Sequence, residues 1–351
     1  MSERTKIQWA DSTWNPWIGC TKVSPGCANC YAEGSMPARM LGVEWGLGKP
    51  RRVACAATWK SPMAWNRKPW VCNRCGVALS QPQLHVQPGT GCPCVYDEDA
   101  IQAASNFHRR RVFTLSLGDW LDPEVPIELF IRFLNTVRQC TELNWILCTK
   151  RLERFFERMN EAVHWPLNDA GFERWARGWS CNQVLPENVC VLASVEDQKR
   201  ADDRVPALLR IPARWHGLSL EPLLGPVDFD GTRLEWIAPF KDCDASLNPT
   251  PKLDWLVIGG ESGKGARSCR VEWIRSLVAQ GQAAGAAVFV KQLGAQVEDF
   301  DAVGDNQFDA TKCWPNWTRC TDRVIHLQHP KGGDPDEWPA DLRVRQWPEG
   351  L

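Results

Sequence analysis

Seven cysteines in two groups carry the most chemistry per residue in this chain. Cys20, Cys27 and Cys30 lie in the stretch "WNPWIGCTKVSPGCANCYAE" at residues 14–33. Cys72 and Cys75, with two residues between them, precede Cys92 and Cys94, with one between them. Four thiolates in two close pairs can surround a tetrahedral ion, and a zinc site with four cysteine ligands is structural because no position is left for substrate. An auxiliary iron–sulfur cluster or unliganded thiols are the other readings of that group, and the one-residue gap is less typical of zinc than two. The first group has three members and no neighbouring fourth. Three thiolates on a cubane cluster leave one iron open, whereas zinc would need a distant fourth ligand such as Cys55 or a histidine. The thiols can also hold nothing. Gly19, Pro25 and Gly26 let the loop fold back so that its sulfurs face one centre.

The rest of the chain must position these groups. Its 351 residues suffice for a substantial core and a cofactor-sized cleft. With 44% hydrophobic and 24% charged residues it reads as an ordinary folded domain. A net charge of −1 argues against a protein that coats nucleic acid. The densest basic run, His108–Arg111, reads as the solvated flank of a strand at least as well as a basic groove. The N-terminal stretch lacks the apolar core of a signal peptide, and no apolar run approaches the roughly 20 residues of a membrane span. A cytoplasmic protein without membrane contact is expected, and there thiols stay reduced and serve metals or redox chemistry.

From residue 111 short β-branched runs alternate with amphipathic stretches of helical length, the pattern of βα units. The predicted strands are "RVFTLSLGD", "NWILCTK", "VCVLASVED", "ARWHGLSLEP", "LDWLVIGGES" and "AAVFVKQLG", after a first strand within Ile7–Ile18. Helices are predicted in "PIELFIRFLNTVRQC", "RLERFFERMNEA", "DQKRADDRVPALLRI" and "VEWIRSLVAQGQAAG". The expected fold is α/β, an incomplete (β/α) barrel of about six to seven parallel strands. Residues 1–65 form the first βα unit with the three-cysteine loop, 66–110 a Cys-rich, zinc-binding insertion, 111–297 the remaining barrel units and 298–351 a C-terminal cap or lid. Residues 163–189 read as a second, Trp-rich insertion.

Each predicted strand ends in polar groups: Ser116 and Asp119, Thr149 and Lys150, Ser194 and Glu196, Ser219 and Glu221, Glu261 and Ser262, Lys291 and Gln292. The carboxyl ends of parallel strands form the ligand face. Helix capping explains any one such site, but six in succession less well. Glu221 and Glu261 are a candidate acid/base pair and Lys291 a candidate proton donor or anion clamp, with structural ion pairs as the alternative. Gly259 and Gly260 open the loop "GGESGKGAR", whose backbone N–H groups can approach a carboxylate or phosphate, though it lacks the P-loop pattern. Indoles of the 20 tryptophans can stack on bases or fill the core; Trp14, Trp17 and Trp120 lie nearest the expected cofactor face.

A three-cysteine loop after the first strand of an incomplete barrel resembles the radical S-adenosylmethionine (SAM) superfamily. More closely, that loop together with "SVEDQKRADDRVPALL", "LSLEPLLGPVDF", "LDWLVIGGESGKGARSC" and "VFVKQLGA" is similar to the phage-encoded three-Cys-motif family of unknown function. The resemblance implies a 4Fe–4S cluster on Cys20, Cys27 and Cys30 whose open iron is chelated by the amino and carboxylate groups of SAM. It also implies a 5′-deoxyadenosyl radical that abstracts a hydrogen atom. By position, Ser116 and Asp119 would face the SAM amino group, and Ser194 and Glu196 the ribose. The implied partners are a reductase or flavodoxin-type electron donor, a nucleotide or nucleic-acid base as substrate, and a separately encoded protein. The chain departs from the superfamily spacing: six and then two residues separate its cysteines, where three and two are usual, and Asn29 replaces the usual aromatic residue before the third. A non-catalytic zinc-binding module that binds nucleic acid or a protein partner is the competing reading.

Overall fold

Runs rich in Val, Ile, Leu and Trp can be buried on both faces, and this chain spends them on a parallel sheet. The computed structural model describes residues 3–81, 107–229, 252–299, 320–321 and 324–351. Seven parallel strands follow one another in chain order: β1 (Ser12–Trp14), β2 (Arg111–Thr114), β3 (Asn144–Thr149), β4 (Val189–Ser194), β5 (Trp215–Leu220), β6 (Trp255–Gly259) and β7 (Ala287–Gln292). Every neighbouring pair is parallel, and the sheet curls into a half-barrel. All residues of β2, β4, β5 and β6 are buried. At Gly217 in β5 even a methyl group would meet the Trp255 carbonyl oxygen at 2.8 Å.

A short helix, α1 (Met36–Met40), follows β1, and the longer helices cover the convex face: α2 (Ala56–Trp65) after it, α3 (Ile127–Gln139) after β2, α4 (Phe155–Val163) and α5 (Ala170–Ser180) after β3, α6 (Gln198–Leu209) after β4 and α7 (Val271–Ala283) after β6. The predicted Trp-rich insertion therefore contains a helix of the layer. Asp169 caps α5 by accepting from Phe172 N–H. Trp179 of α5 is fully buried, stacks on Trp120 at 6.4 Å and donates its indole N–H to Pro212 O. Its periodicity escaped the sequence reading because the buried stripe is built from Phe172, Ala176 and Trp179 rather than aliphatic residues.

Trp14, Trp17 and Trp120 are likewise completely buried in this outer core, against Phe133 and Phe130 of α3. They fill the sheet–helix interface instead of facing a cofactor, because these side chains project toward the helices.

The concave face is packed by Trp9, Phe113, Ile146, Leu192, Trp255 and Phe289, with Leu351 and Trp347 of the tail. The tail crosses the amino-terminal ends of the strands. Arg111 and Asn144 donate to the carbonyls of Leu351 and Gly350, and Trp215 and Trp255 donate to those of Glu349 and Gln346. The last residues thus make a floor opposite the carboxyl edge of the sheet. Nearer that edge, the Leu293 and Gly294 N–H groups donate to Gly332 and Lys331 carbonyls.

The basic run His108–Arg111 is not a solvated flank. His108 Nε2 lies 2.9 Å from Asp11, Arg109 pairs with Glu142, and Arg110 and Arg111 are buried. Of the Cys-rich insertion, Trp70–Cys72, Ala78–Leu79 and Phe107–Arg109 form a small antiparallel sheet. Cys72 and Cys75 flank a tight turn in which Gly76 takes φ +69° and its N–H donates to Cys72 O. Cys92 and Cys94 lie outside the described residues. Among the described residues no helix is long and apolar enough to cross a membrane.

Candidate functional site

The three-cysteine loop leaves β1 through a pinned neck. Trp17–Ile18 pairs antiparallel with Arg52–Val53, so residues 19–51 form a closed excursion over the carboxyl edge of the sheet. Gly19 turns the chain at φ +118°, a left-handed geometry suited to glycine. Arg51, buried at the far end of the excursion, pairs with Asp122 at 2.8 Å and donates to Thr21 Oγ1 at 2.7 Å. A short helical turn, Pro25–Cys27, then presents the middle cysteine.

Three carboxylates from three strand ends reach this excursion. Asp119, after β2, accepts from Thr149 Oγ1, from Lys150 N–H, from Leu121 N–H and from Arg151, whose guanidinium lies 2.8 Å away. The same Arg151 donates to Cys20 Sγ at 3.4 Å and to Thr21 O at 2.6 Å. Glu196, after β4, pairs with Arg204 of α6 at 2.8 Å and accepts the Gly26 N–H at 3.2 Å. Glu261, after β6, pairs with Arg267 at 2.6 Å and accepts from the Asn29 amide at 3.1 Å. Arg267 also donates to Pro25 O at 3.0 Å.

The thiols sit in unlike fields. Burial, reinforced by the negative charge of Asp119, pushes the Cys20 thiol up to about 12. Burial also acts to raise Cys27, but the Lys150 ammonium and backbone donors of Val23 and Ser24 outweigh it and lower that thiol. Cys20, Cys27 and Cys30 are all half-buried and none forms a disulfide. Among the described residues no three His, Cys, Asp or Glu side chains gather into one metal-binding group. The donor set has the chemistry that a three-thiolate cluster needs, three soft sulfurs on one loop at the carboxyl edge, while its sulfurs do not share a centre.

Beside Cys30, Tyr31 exposes 59% of its surface. Its hydroxyl donates to Ser116 O at 2.7 Å, and the Ser116 hydroxyl bonds Asn15. Cys148 Sγ lies 3.4 Å from Ser194 Oγ. The Lys150 ammonium has no ion-pair partner among the described residues; burial works against its charge, but Cys148, Cys27 and Glu196 hold its pKa above the usual lysine value. Lys291 pairs with Glu221 at 2.5 Å, and Gln292 donates to the same carboxylate oxygen.

Glu221 and Glu261, expected as an acid/base pair, have separate partners, Lys291 with Gln292 in one case and Arg267 with Asn29 in the other. Gly260 donates its N–H to Gln292 O, and a Cβ there would lie 2.1 Å from Leu293 O. Gly259 accepts from Leu223 N–H. These two glycines allow close backbone packing, and the Gly260 N–H is already used. Sequence reasoning missed Arg51, Arg151, Arg204 and Arg267. Arg151 adjoins the strand-end pair Thr149–Lys150, a usable signal, whereas Arg204 looks like any polar position of an amphipathic helix. A groove of about 460 Å³ between α2 and α3 contains none of these residues.

No curated protein and no solved structure matches the chain. A family described as "Protein of unknown function (DUF5131)" matches residues 4–312. Since that span covers most of the 351 residues, from before β1 to beyond β7, the chain belongs to this family.

Proposed function

We propose that the chain is a radical SAM-type iron–sulfur enzyme. One observation carries this reading: three thiols within eleven residues sit on a loop that leaves the first strand of a parallel half-barrel at its carboxyl edge. Cys20, Cys27 and Cys30 would hold a 4Fe–4S cluster, with SAM as second cofactor. When bound, the pair supplies reductive cleavage to methionine and a 5′-deoxyadenosyl radical that removes a hydrogen atom from substrate, one electron coming from a reductase or flavodoxin-type donor.

The chain's own residues bind, orient and exclude water. Arg51 and Arg151 fix the start of the loop over the sheet. At the same edge the Ser116 carbonyl takes the Tyr31 hydroxyl and the Ser116 side chain bonds Asn15, while the buried Ser194 hydroxyl lies 3.4 Å from Cys148 Sγ. Lys150 offers a positive charge that no side chain among the described residues neutralises in an ion pair. An exposed Tyr31 ring and a Lys150 ammonium without an ion-pair partner among the described residues, both at the carboxyl edge of the sheet, suit an anionic, ring-bearing substrate, which supports a nucleotide or nucleic-acid base. The Glu221–Lys291 pair can hold or pass a proton at the Lys291 Nζ to Glu221 Oε1 contact. Structural zinc on Cys72, Cys75, Cys92 and Cys94 completes the proposal, supported by the tight turn at Gly76. A reducing, cytoplasmic setting suits both cysteine groups.

The test is anaerobic purification followed by iron, sulfide and zinc analysis of wild type and of the Cys20/Cys27/Cys30 triple Ala variant, with a SAM-cleavage assay. About four irons that vanish in the variant while zinc persists, with 5′-deoxyadenosine formed by the reduced wild type, is the expected result. Zinc alone after anaerobic reconstitution overturns it and leaves the non-catalytic module that binds nucleic acid or a protein partner.

A further inference from the structure

The sequence suggests that the strand-end acids meet a cofactor, but their contacts lead elsewhere. Asp119, Glu196 and Glu261 are each at most 5% exposed, and each is paired with an arginine: Arg151, Arg204 and Arg267. Each pair touches a different part of the three-cysteine excursion. Asp119–Arg151 reaches the Cys20 sulfur and Thr21 O. Glu196–Arg204 takes the Gly26 N–H, one residue before Cys27. Glu261–Arg267 takes the Asn29 side chain, one residue before Cys30, and also Pro25 O.

We infer that these three pairs are positioning residues for the three-cysteine loop, one clamp beside each cysteine, and that they do not contact SAM. A loop with six residues between its first two cysteines has more backbone freedom to lose than a shorter one, so extra tethers offset a larger ordering cost. Hydrogen bonds between a charged group and a backbone or amide partner are the strong kind. Asn29, out of place against the superfamily pattern, has its role here: its amide bridges Glu261 and Gly265 O, which an aromatic ring cannot do. Gly26 follows from the same design, since a Cβ there would lie 3.1 Å from the Glu196 carboxylate.

The identity of what the loop holds rests on the proposed function; the clamping does not. The experiment is therefore timed iodoacetamide labelling of the full chain after iron removal, at fixed pH, with each cysteine read by mass spectrometry and fold checked by circular dichroism. Asp119→Asn, which unpairs Arg151, should speed labelling of Cys20, Glu196→Gln that of Cys27, and Glu261→Gln that of Cys30, each by about tenfold at its own cysteine and much less at the other two. Arg267→Ala, at a more exposed position, removes the third clamp from the other side and should reproduce the Glu261→Gln pattern if the buried variant does not fold. Equal labelling of all three cysteines in every variant, or no change in folded protein, overturns the assignment. A second readout is the iron-to-protein ratio after reconstitution: a fall in the variants with unchanged SAM affinity supports positioning, and lost SAM affinity at full iron returns these acids to the cofactor. A wild type that takes up no iron refutes the cluster and leaves the labelling pattern to decide the clamps.

Discussion

The Glu196 carboxylate accepts the backbone N–H of Gly26 across 170 residues of sequence, at 3.2 Å. The contact joins the end of β4 to the centre of the three-cysteine loop. Glycine leaves room for the acid, and a larger residue would push it away.

Gly26→Val should therefore displace Glu196 or the loop. Forcing extra methyl groups against a buried, paired carboxylate costs about 1–3 kcal/mol. Urea denaturation should show a loss of that size, and reconstituted iron should fall with it. Wild-type stability and full iron in the variant would mean that the loop yields freely.

Glu196 and Glu261 give a pH signature. Burial tends to raise both, but Arg204 outweighs it for Glu196, and the hydrogen bonds from Arg267 do so for Glu261, so each folded carboxyl titrates below its ordinary value. A depressed pKa adds stability that is complete above the unfolded value, about 4.3, and is lost as pH falls through the folded value. Melting temperatures measured from pH 7 down to pH 3 should fall at the acid end, and Glu196→Gln should flatten part of that fall. Parallel curves for the two proteins would show that the pair does not link folding to protons.

The thiols should differ in reactivity. The Cys20 thiol is pushed up to about 12, while that of Cys27 is lowered by Lys150. At pH 8 the metal-free chain should lose Cys27 to iodoacetamide before Cys20, and Lys150→Met should narrow the gap. Faster labelling of Cys20 would contradict this electrostatic order.

Trp179 tests whether residues 163–189 belong to the core. Its indole is fully buried between Trp120, Phe155 and Trp175. Trp179→Ala should cost about 3–5 kcal/mol in denaturant unfolding. A loss below about 1 kcal/mol would return the segment to the status of a dispensable insertion.

Removal of residues 344–351 should be severe. The segment floors the half-barrel through Trp347 and Leu351, and its backbone takes bonds from Arg111, Asn144, Trp215 and Trp255. Gel filtration and circular dichroism of the truncated chain should report aggregation or unfolding, and a monomer with native melting would refute the role of the floor.

Local patterns determined much of this protein. The apolar runs of β2 through β7 and the helical periods of α3, α4, α6 and α7 are visible in the chain because a parallel sheet buried on both faces leaves near-continuous hydrophobic strands. The polar residues at the strand ends, and the cysteine loop after the first strand, were equally legible, since backbone direction alone places them on one edge. What each polar residue does there was decided by tertiary structure. Asp119 and Glu196 read as cofactor contacts and Glu261 as half of an acid/base pair; the arginines that pair with them, from β3's end, from α6 and from the loop after β6, reach them only once the sheet has curled. Trp14, Trp17 and Trp120 lie near the loop in sequence, yet they project to the opposite side of the sheet. Sequence spacing sets which residues share an edge; a charge's partner and a ring's facing depend on which distant elements pack against it, and that comes from the three-dimensional arrangement alone.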